Sequence, residues 1–239
     1  MKYVQQLIGR FKNIHTLRIW LRRIIQYIVY DVEFMLLRVY KKDPHVLGAI
    51  RNSHVNNGLM MSAGEAFVVL SVAALQNSLE GDMAEVGVGD GGSSRLIAKA
   101  KGPRPLHLFD TFRGLPNPCE LDGHHFEHGM FASQHSTVRD LFANDGMVII
   151  HAGLFAETCD NVSERRFSFV HLDGDLYDTT LQALDFFYPR LVRQGIILIH
   201  DINCPGVQRA IQEAGKTRKW RCLELNTRQM MIFQEDGIA

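Results

Sequence analysis

Apolar and polar positions alternate along most of this chain in a pattern that predicts strands and helices in turn. Short, nearly unbroken apolar runs are separated by segments in which apolar residues recur every third or fourth position. Such runs are typical of strands buried on both faces, and the segments between them of covering helices. The predicted strands are MAEVGV (83–88), PLHLF (105–109), MVIIHAG (147–153), FSFVHLD (167–173) and GIILIHD (195–201).

The predicted helices complete an α/β fold with helices on both faces of a mostly parallel sheet. The helix before the first strand begins at a capping box, Ser62 followed by Glu65, and continues to about Leu79. At the carboxyl end, KWRCLEL (219–225) and QMMIF (229–233) are joined by too few residues for a helix, which predicts an antiparallel hairpin. The remaining predicted helices cover 93–101, the surroundings of Val138, 176–188 and the surroundings of Val207.

The first 43 residues follow a helical period of their own. Charged residues interrupt them, and their longest uncharged apolar run, IIQYIVY (24–30), is far short of the roughly 18 residues that a membrane span needs. It also gives no signal-peptide core. Two interpretations remain: helices that pack on the main domain or on a second subunit, and a basic amphipathic surface that contacts anionic membrane. The excess of apolar over charged residues favours packing.

A boundary between this extension and the main domain is predicted near residue 50. Pro44 and the polar stretch RNSHVNNG (51–58) divide a basic amphipathic helical extension (1–50) from a single domain (51–239). Residues 1–50 hold nine Lys and Arg against three Asp and Glu, so the neutral chain leaves the main domain slightly acidic. That balance argues against nucleic-acid binding. Four scattered cysteines without a C-x-x-C pair predict reduced thiols in a cytoplasmic protein.

A glycine-rich turn follows the first predicted strand. In AEVGVGDGGSS (84–94), Gly87, Gly89 and Gly92 match G-x-G-x-x-G, and Asp110 ends the second strand, where a carboxylate can accept the hydroxyls of a ribose. These features fit a dinucleotide and S-adenosylmethionine equally. Glu85 and Asp90 favour S-adenosylmethionine, because acids would repel a pyrophosphate but suit a cationic sulfonium and amino group. A buried Glu85 also needs a partner, since an unpaired buried carboxylate is costly.

The predicted cofactor contacts come from the ends of several strands. Glu85 would hold the methionine end, Asp110 the ribose, and Gly153 and Phe155 the adenine, although Phe155 fits a plain core position equally well. The full predicted set is Glu85, Gly87, Gly89, Gly91, Ser93, Asp110, Thr111, Gly153, Phe155 and Asp173.

Three segments resemble the macrocin O-methyltransferase family. They are AEVGVGDGGSS, FDTFRGLP (109–116) and HLDGDLYDTTLQALDFFYPRLVRQGIILIHDINCPGVQRAI (171–211). The resemblance implies a class I methyltransferase fold, a Rossmann-like sheet, and methylation of sugar hydroxyls on macrolides and related glycosylated natural products. It also implies that Asp173 is a metal ligand and candidate base, and that an acidic pair on the next strand supplies further ligands.

The residues at two adjacent strand ends agree with a metal site. Asp173 follows FVHL and Asp201 follows GIILIH, so both carboxylates would lie at one edge of the sheet, where hard oxygen ligands suit Mg²⁺. His200 stands where the family more often has a second carboxylate, and imidazole suits Mn²⁺, Zn²⁺ or Fe²⁺ better. Three alternatives stay open: Mg²⁺ with fewer protein ligands, another divalent ion, or His200 as a base outside the metal shell. A strand-end histidine bonded to backbone is the fourth. The candidate ligands are Asp173, His200 and Asp201, and the candidate catalytic residues are Asp173 and His200.

The acceptor side is less sharply predicted. Asp175 and Tyr177 follow Asp173 and can line an acceptor pocket. The long loop from Arg113 to His135 predicts a lid. It carries His124, His125, His128 and His135, whose spacing matches no zinc pattern.

Together these features predict an S-adenosylmethionine- and divalent-metal-dependent O-methyltransferase that acts on a sugar hydroxyl of a glycoside, glycolipid or polysaccharide precursor. A catechol-like or other phenolic acceptor is the alternative within the same chemistry, although the lysine base and Asp-Asn ligands of many such enzymes are missing. An NAD(P)-dependent oxidoreductase is the alternative from another class, and a non-catalytic binding module is the least favoured. The predicted partners are a small-molecule or oligosaccharide acceptor and a second copy in a homodimer, with peripheral membrane contact through residues 1–43 as the alternative.

Overall fold

The computed structural model describes residues 14–234, and residues 1–13 of the predicted extension lie outside that range. The helices are α1 (Ile14–Val39), α2 (Pro44–Asn56), α3 (Ala63–Gln76), α4 (Gly92–Ala100), α5 (His135–Leu141), α6 (Phe155–Thr158), α7 (Tyr177–Phe187) and α8 (Pro205–Thr217). The strands are β1 (Asp82–Val86), β2 (Leu106–Asp110), β3 (Val148–Ala152), β4 (Phe167–Leu172), β5 (Leu191–Ile199), β6 (Arg221–Glu224) and β7 (Met230–Phe233).

The strands form one sheet in the order β3-β2-β1-β4-β5-β7-β6. Strands β1 to β5 are parallel, and β7 is antiparallel to both of its neighbours, β5 and β6. The predicted fold class and the carboxyl-terminal hairpin are therefore confirmed. Strand order reverses between β1 and β4, which is the position where open α/β sheets bind their ligands.

The central strands of the sheet are buried on both faces, which explains their unbroken apolar runs. Met83 and Phe169 pack into the core beneath α1 to α4, whereas their chain neighbours Ala84 and Val170 pack into the core beneath α7 and α8. Successive side chains of a strand point to opposite faces. Strands β1, β2, β4 and β5 therefore supply both cores, and their carboxyl ends meet at the edge where the site lies.

The capping box sets the start of α3 as predicted. The Ser62 hydroxyl accepts a hydrogen bond from the Glu65 backbone N–H at 3.3 Å, and the Glu65 carboxylate accepts one from the Ser62 N–H at 2.8 Å. This helix ends at Gln76, slightly before the predicted Leu79.

The predicted boundary at residue 50 falls inside a helix. Asp43 caps α2 by accepting from the His45 N–H at 2.6 Å, Pro44 occupies the first turn, and the helix runs on to Asn56. Ile50 is fully buried in the core. The polar stretch that predicted a linker is thus helical as far as residue 56, because one face of α2 packs on the main domain.

Helix α1 has two apolar faces. Tyr30, Phe34 and Leu37 pack against the core, while Val32 and Met35 are about half exposed at 47% and 56%. No helix within residues 14–234 is both long and apolar enough to cross a membrane. All four cysteines are free thiols, so no disulfide framework holds the fold.

Candidate active site

The glycine turn lies at the carboxyl end of β1 and has a conformation that side chains disfavour. Gly87, Gly89 and Gly91 have φ values of 88°, 53° and 89°. A Cβ atom on Gly87 would lie 1.9 Å from the carbonyl oxygen of Asp173, the residue that follows β4. Glycine is therefore required there, because the turn touches the neighbouring loop backbone directly.

Asp110 braces this turn. Its carboxylate accepts hydrogen bonds from the backbone N–H groups of Val88 at 2.7 Å, Gly89 at 2.9 Å and Phe112 at 2.6 Å. The sequence predicts a ribose contact for Asp110 but not this bracing role. The ribose contact stays a prediction, and it would use the carboxylate's remaining acceptor capacity.

Glu85 has protein partners instead of an open face on the cavity. Its carboxylate is fully buried, lies 2.8 Å from Nδ1 of His171 on β4, and accepts a short hydrogen bond from the Ser94 hydroxyl. The expectation that a buried acid here has a partner is thus met within the protein. Its predicted contact with the methionine end of a cofactor stays a prediction.

A cavity of about 310 Å³ opens beside the turn. Phe155 lines it and also packs edge-on against Phe109, so it is both a core residue and a wall of the cavity. Glu85 and Gly91 are not among its lining residues. The other predicted cofactor residues all line it, namely Gly87, Gly89, Ser93, Asp110, Thr111, Gly153, Phe155 and Asp173.

The predicted metal ligands line the same cavity and lie together, and we call their part of the wall the rim (Asp173, His200 and Asp201). One ligand atom from each residue can be chosen so that all three lie within 4.8 Å of one another. Among residues 14–234 no other histidine, cysteine or acid group is arranged in this way. The histidines of the 113–135 loop are exposed and contribute to no such cluster.

His200 is buried among carboxylates. Its Nδ1 lies 3.1 Å from Asp173 Oδ1 and 3.1 Å from Asp201 Oδ2, and its Nε2 lies 3.4 Å from Glu65 Oε2. Burial opposes the charged form, but Asp173, Asp201 and Glu65 outweigh it and raise the pKa of His200 well above its usual value. Within the described chain neither ring nitrogen makes a hydrogen bond of good geometry. Two poorly satisfied buried nitrogens are unusual in a native site.

The acids of the rim respond to the same neighbours. Burial alone would raise the pKa of Asp173, but the nearby charge of His200 lowers it below its usual value. For Asp175, burial and the charges of Asp173 and Asp201 raise the pKa well above its usual value. Asp175 also lines the cavity and has a φ of 59°, which is uncommon for a residue other than glycine.

Two residues of this site were missed by sequence reasoning. The sequence pattern indicates only a capping box for Glu65 and a hairpin turn for Arg228. In the structure, Arg228 pairs with Glu65 at 3.0 Å and with Asp201 at 2.5 Å. The only available signal was that both are charged residues beside strongly apolar segments.

The loop from Arg113 to His135 forms part of the cavity wall. Leu115, Phe126 and Phe131 from this loop line the cavity, which makes its inner surface more apolar than the sequence suggested. The loop is fastened at its middle by Asp122, whose carboxylate accepts from the Cys119 N–H at 2.8 Å and from the Tyr177 N–H at 2.6 Å. Tyr177 therefore meets the loop through its backbone at the start of α7.

Comparisons with known proteins give a family model and curated relatives that are O-methyltransferases. A sequence model of a protein family, described as Macrocin-O-methyltransferase (TylF), matches residues 67–223. A 4'-O-methyltransferase from Streptomyces olivaceus, which acts on 8-demethyl-8-(2,3-dimethoxy-alpha-L-rhamnosyl)-tetracenomycin-C, is 31% identical over 208 residues, or 79% of this chain and 76% of that protein. Mycinamicin III 3''-O-methyltransferase from Micromonospora griseorubida is 29% identical over 160 residues, or 59% of this chain and 63% of that protein.

Solved structures show the same fold at lower identity. The calicheamicin methyltransferase CalS11 superposes with a TM-score of 0.62 at 18% identity, over 82% of this chain and 95% of that chain. The O-methyltransferase NovP superposes with a TM-score of 0.60 at 22% identity, over 74% of this chain and 81% of that chain.

Proposed function

This chain belongs to the macrocin O-methyltransferase family and is an S-adenosylmethionine-dependent O-methyltransferase, and we propose that it methylates a sugar hydroxyl with the help of a divalent metal. The acceptor would be a glycoside, glycolipid or polysaccharide precursor. The two curated relatives described above bear names that refer to a rhamnosyl compound and to mycinamicin III, which supports a glycosylated acceptor.

One observation carries this proposal: the glycine turn and the rim line the same cavity. Methyl transfer is an in-line displacement, so the acceptor oxygen has to approach the methyl carbon from the side opposite the sulfur that leaves. Residues on the turn side can hold the cofactor while residues on the rim side hold the acceptor. Holding both in line removes much of the entropic cost of the reaction.

The rim residues fit a divalent ion. Two carboxylates and an imidazole offer atoms within 4.8 Å of one another, as expected for ligands that each lie about 2.0–2.6 Å from one ion. The poorly satisfied nitrogens of His200 support the same conclusion. When bound, the ion would supply electrostatic stabilisation to the oxygen as it loses its proton. The imidazole in the set makes Mn²⁺ or another divalent ion, such as Zn²⁺ or Fe²⁺, the alternative to Mg²⁺.

The chain's own residues would orient the acceptor and take its proton. A sugar hydroxyl is a poor nucleophile at neutral pH, so a base has to stand within hydrogen-bond reach of it. Asp173 and His200 are the candidate bases, and Asp175 is a third group that lines the same cavity. The apolar inner surface of the 113–135 loop would exclude water and contact a hydrophobic part of the acceptor.

The test is a methyl-transfer assay on a panel of acceptors. Purified protein is incubated with S-adenosylmethionine and, separately, with rhamnosides, nucleotide sugars, glycolipid headgroups and a catechol, and S-adenosylhomocysteine and methylated product are measured. We expect turnover on a sugar acceptor that is lost with a chelator and restored by Mg²⁺ or Mn²⁺. Turnover on the catechol alone would show that the acceptor is a phenol and not a sugar. Full turnover after chelation would contradict the proposed metal dependence.

We also propose that the exposed face of α1 packs on a second copy of the chain. Ile28, Val32 and Met35 are each 47% exposed or more, and they follow a helical spacing. Replacing these three by Gln should convert a dimer into monomers in sedimentation, while Val55→Gln, at an exposed position of α2, should not. If the variant instead keeps its oligomeric state and loses binding to anionic vesicles, this face contacts membrane.

A further inference from the structure

Glu65 connects the start of a helix to the rim. Only 2% of Glu65 is exposed, and its carboxylate closes the capping box of α3 by accepting from the Ser62 N–H at 2.8 Å. The same carboxylate faces His200 and Arg228. Capping a helix requires only an exposed Glu or Gln side chain. Burial of this charge against the rim therefore needs a further explanation.

The ring of His200 lies between two sets of carboxylates. Its Nδ1 faces Asp173 and Asp201 at 3.1 Å each, and its Nε2 faces Glu65 at 3.4 Å. Histidines that bind metals commonly present one ring nitrogen to the ion and share the proton of the other with a carboxylate, which fixes the tautomer and the ring orientation. The arrangement around His200 has this form, with Nδ1 on the side of the other two ligands.

Arg228 holds Glu65 in this position. Its Nε and Nη2 atoms lie 3.0 and 3.1 Å from the two oxygens of Glu65, a bidentate pair that fixes the plane of the carboxylate. Its Nη1 atom lies 2.5 Å from Asp201 Oδ1.

We infer that Glu65 is a positioning residue for the metal site, and that it orients His200 so that Nδ1 is the ligand atom. Arg228 supports this role by tying Glu65 to Asp201. A carboxylate at position 200 would have no N–H to place and would be repelled by Glu65, so this arrangement suits a histidine. Glu65 and Arg228 both lie outside the residues that the family model matches. The inference rests on the proposed metal dependence.

The chain offers a matched pair of variants that separates positioning from capping. Glu65→Gln keeps the capping box, because Gln serves there as well as Glu, but it removes the carboxylate from His200 and Arg228. Ser62→Ala breaks the capping box without touching His200. Binding of Mn²⁺ and Co²⁺ is measured by calorimetry, and the Co²⁺ protein is followed by its visible absorption spectrum.

We expect Glu65→Gln to lower the affinity for Mn²⁺ and Co²⁺ by about 10- to 100-fold and to alter the Co²⁺ spectrum. Ser62→Ala should lower the melting temperature and leave metal affinity unchanged. Affinity for S-adenosylhomocysteine should be unchanged in both variants, since neither residue lines the cofactor side of the cavity.

Testing Glu65→Gln in the His200→Asp variant shows whether Glu65 acts through the imidazole of His200. In His200→Asp there is no ring to orient, so adding Glu65→Gln should leave metal affinity unchanged or raise it by removing a like charge. Equal losses from Glu65→Gln in both backgrounds, or wild-type affinity of the single variant, would overturn the positioning role while leaving the metal site in place. Failure of the wild-type protein to bind either ion would overturn the proposed metal dependence, and this inference with it.

Discussion

The two walls of the cavity are built in different ways. The cofactor side is formed mainly by backbone: glycines with positive φ bring N–H groups together, and Asp110 accepts hydrogen bonds from two N–H groups of the turn. The rim is formed by charged side chains, since Asp173, His200 and Asp201 lie next to Glu65 and Arg228. One wall is a shape that is set by the local chain, and the other is a charge arrangement that is assembled from distant segments.

The difference is also visible in two histidines. On the cofactor side, His151 stacks on Phe109 with ring centroids 4.5 Å apart, and burial and the charge of His107 lower its pKa to about 4. On the rim, His200 is held by carboxylates that raise its pKa well above the usual value. The surroundings therefore favour the neutral form of the residue near one wall and the charged form at the other.

The largest effect is expected where the walls touch. Gly87→Ala would place a methyl group 1.9 Å from the Asp173 carbonyl oxygen. A left-handed conformation alone costs a residue with a side chain about 1–2 kcal/mol, and this clash adds to it. We expect undetectable turnover, weaker binding of both S-adenosylhomocysteine and metal in calorimetry, and a lower melting temperature.

Gly89→Ala is the matched control for this variant. Gly89 also has a positive φ, but a Cβ there would meet nothing within 4 Å. Gly89→Ala should be destabilised only by the conformational cost of a positive φ, and its affinity for metal should equal that of the wild type. Equal loss of metal affinity in the two variants would contradict a direct contact between the walls.

Removing charge from the rim should separate chemistry from cofactor binding. Asp201→Asn and chelation should each lower turnover on the order of 10³-fold, because they remove the stabilisation of the developing oxygen charge. Affinity for S-adenosylhomocysteine should change little, since Asp201 is not among the predicted cofactor contacts. Steady-state rates and calorimetry on the same samples give both numbers, and a matching fall in cofactor affinity would contradict the division into two walls.

A smaller effect is expected for Asp110, and it should fall on cofactor affinity instead of on the metal site. Asp110→Ala removes the acceptor of three backbone N–H groups as well as the predicted ribose contact, so cofactor affinity should fall at least about tenfold. Metal affinity should stay at the wild-type value. If S-adenosylhomocysteine binds the folded variant as tightly as wild type, Asp110 neither braces the turn nor contacts the ribose.

The smallest effect concerns acid stability on the cofactor side. His151 has a pKa of about 4 in the folded protein, below the usual 6.5 or so of an unfolded chain. Between these values the unfolded chain binds a proton that the folded protein does not, so stability falls as the pH decreases from about 6.5 to about 4. His151→Gln should flatten the melting temperature over this window. If the melting temperature of the variant falls with decreasing pH as steeply as that of the wild type, groups other than His151 cause the loss of stability in acid.

The fold was largely predictable because its signals are local. Each parallel strand carries an unbroken apolar run that needs no partner to be recognised, and the capping box at Ser62 marks the start of α3 without reference to the rest of the chain. The boundary near residue 50 was harder to place, since Ile50 is buried only because α2 packs on a surface built from later segments.

The site divides in the same way. Gly87 and Gly89 belong to a motif whose spacing reveals its conformation, and Asp173 and Asp201 follow strands that end at one edge. Glu65 and Arg228 are more than 160 positions apart in the chain, and only the packing of α3 against the β6–β7 hairpin joins them. Glu85 was expected to need a partner, but His171 could be found only from the register of β1 with β4.

The fastening of the cavity-lining loop at Asp122 has a practical consequence for redesign. Asp122 is bonded to the backbone at Cys119 and at Tyr177, and backbone hydrogen bonds join Leu115 to Gly129 and Met130, so the loop is held at several points along its length. The arm after Asp122 contributes Phe126 and Phe131 to the cavity. Libraries that vary this arm while keeping Asp122 would exchange the surface that meets the acceptor and leave the reacting groups in register, so this arm is the segment from which new acceptor ranges should be selected.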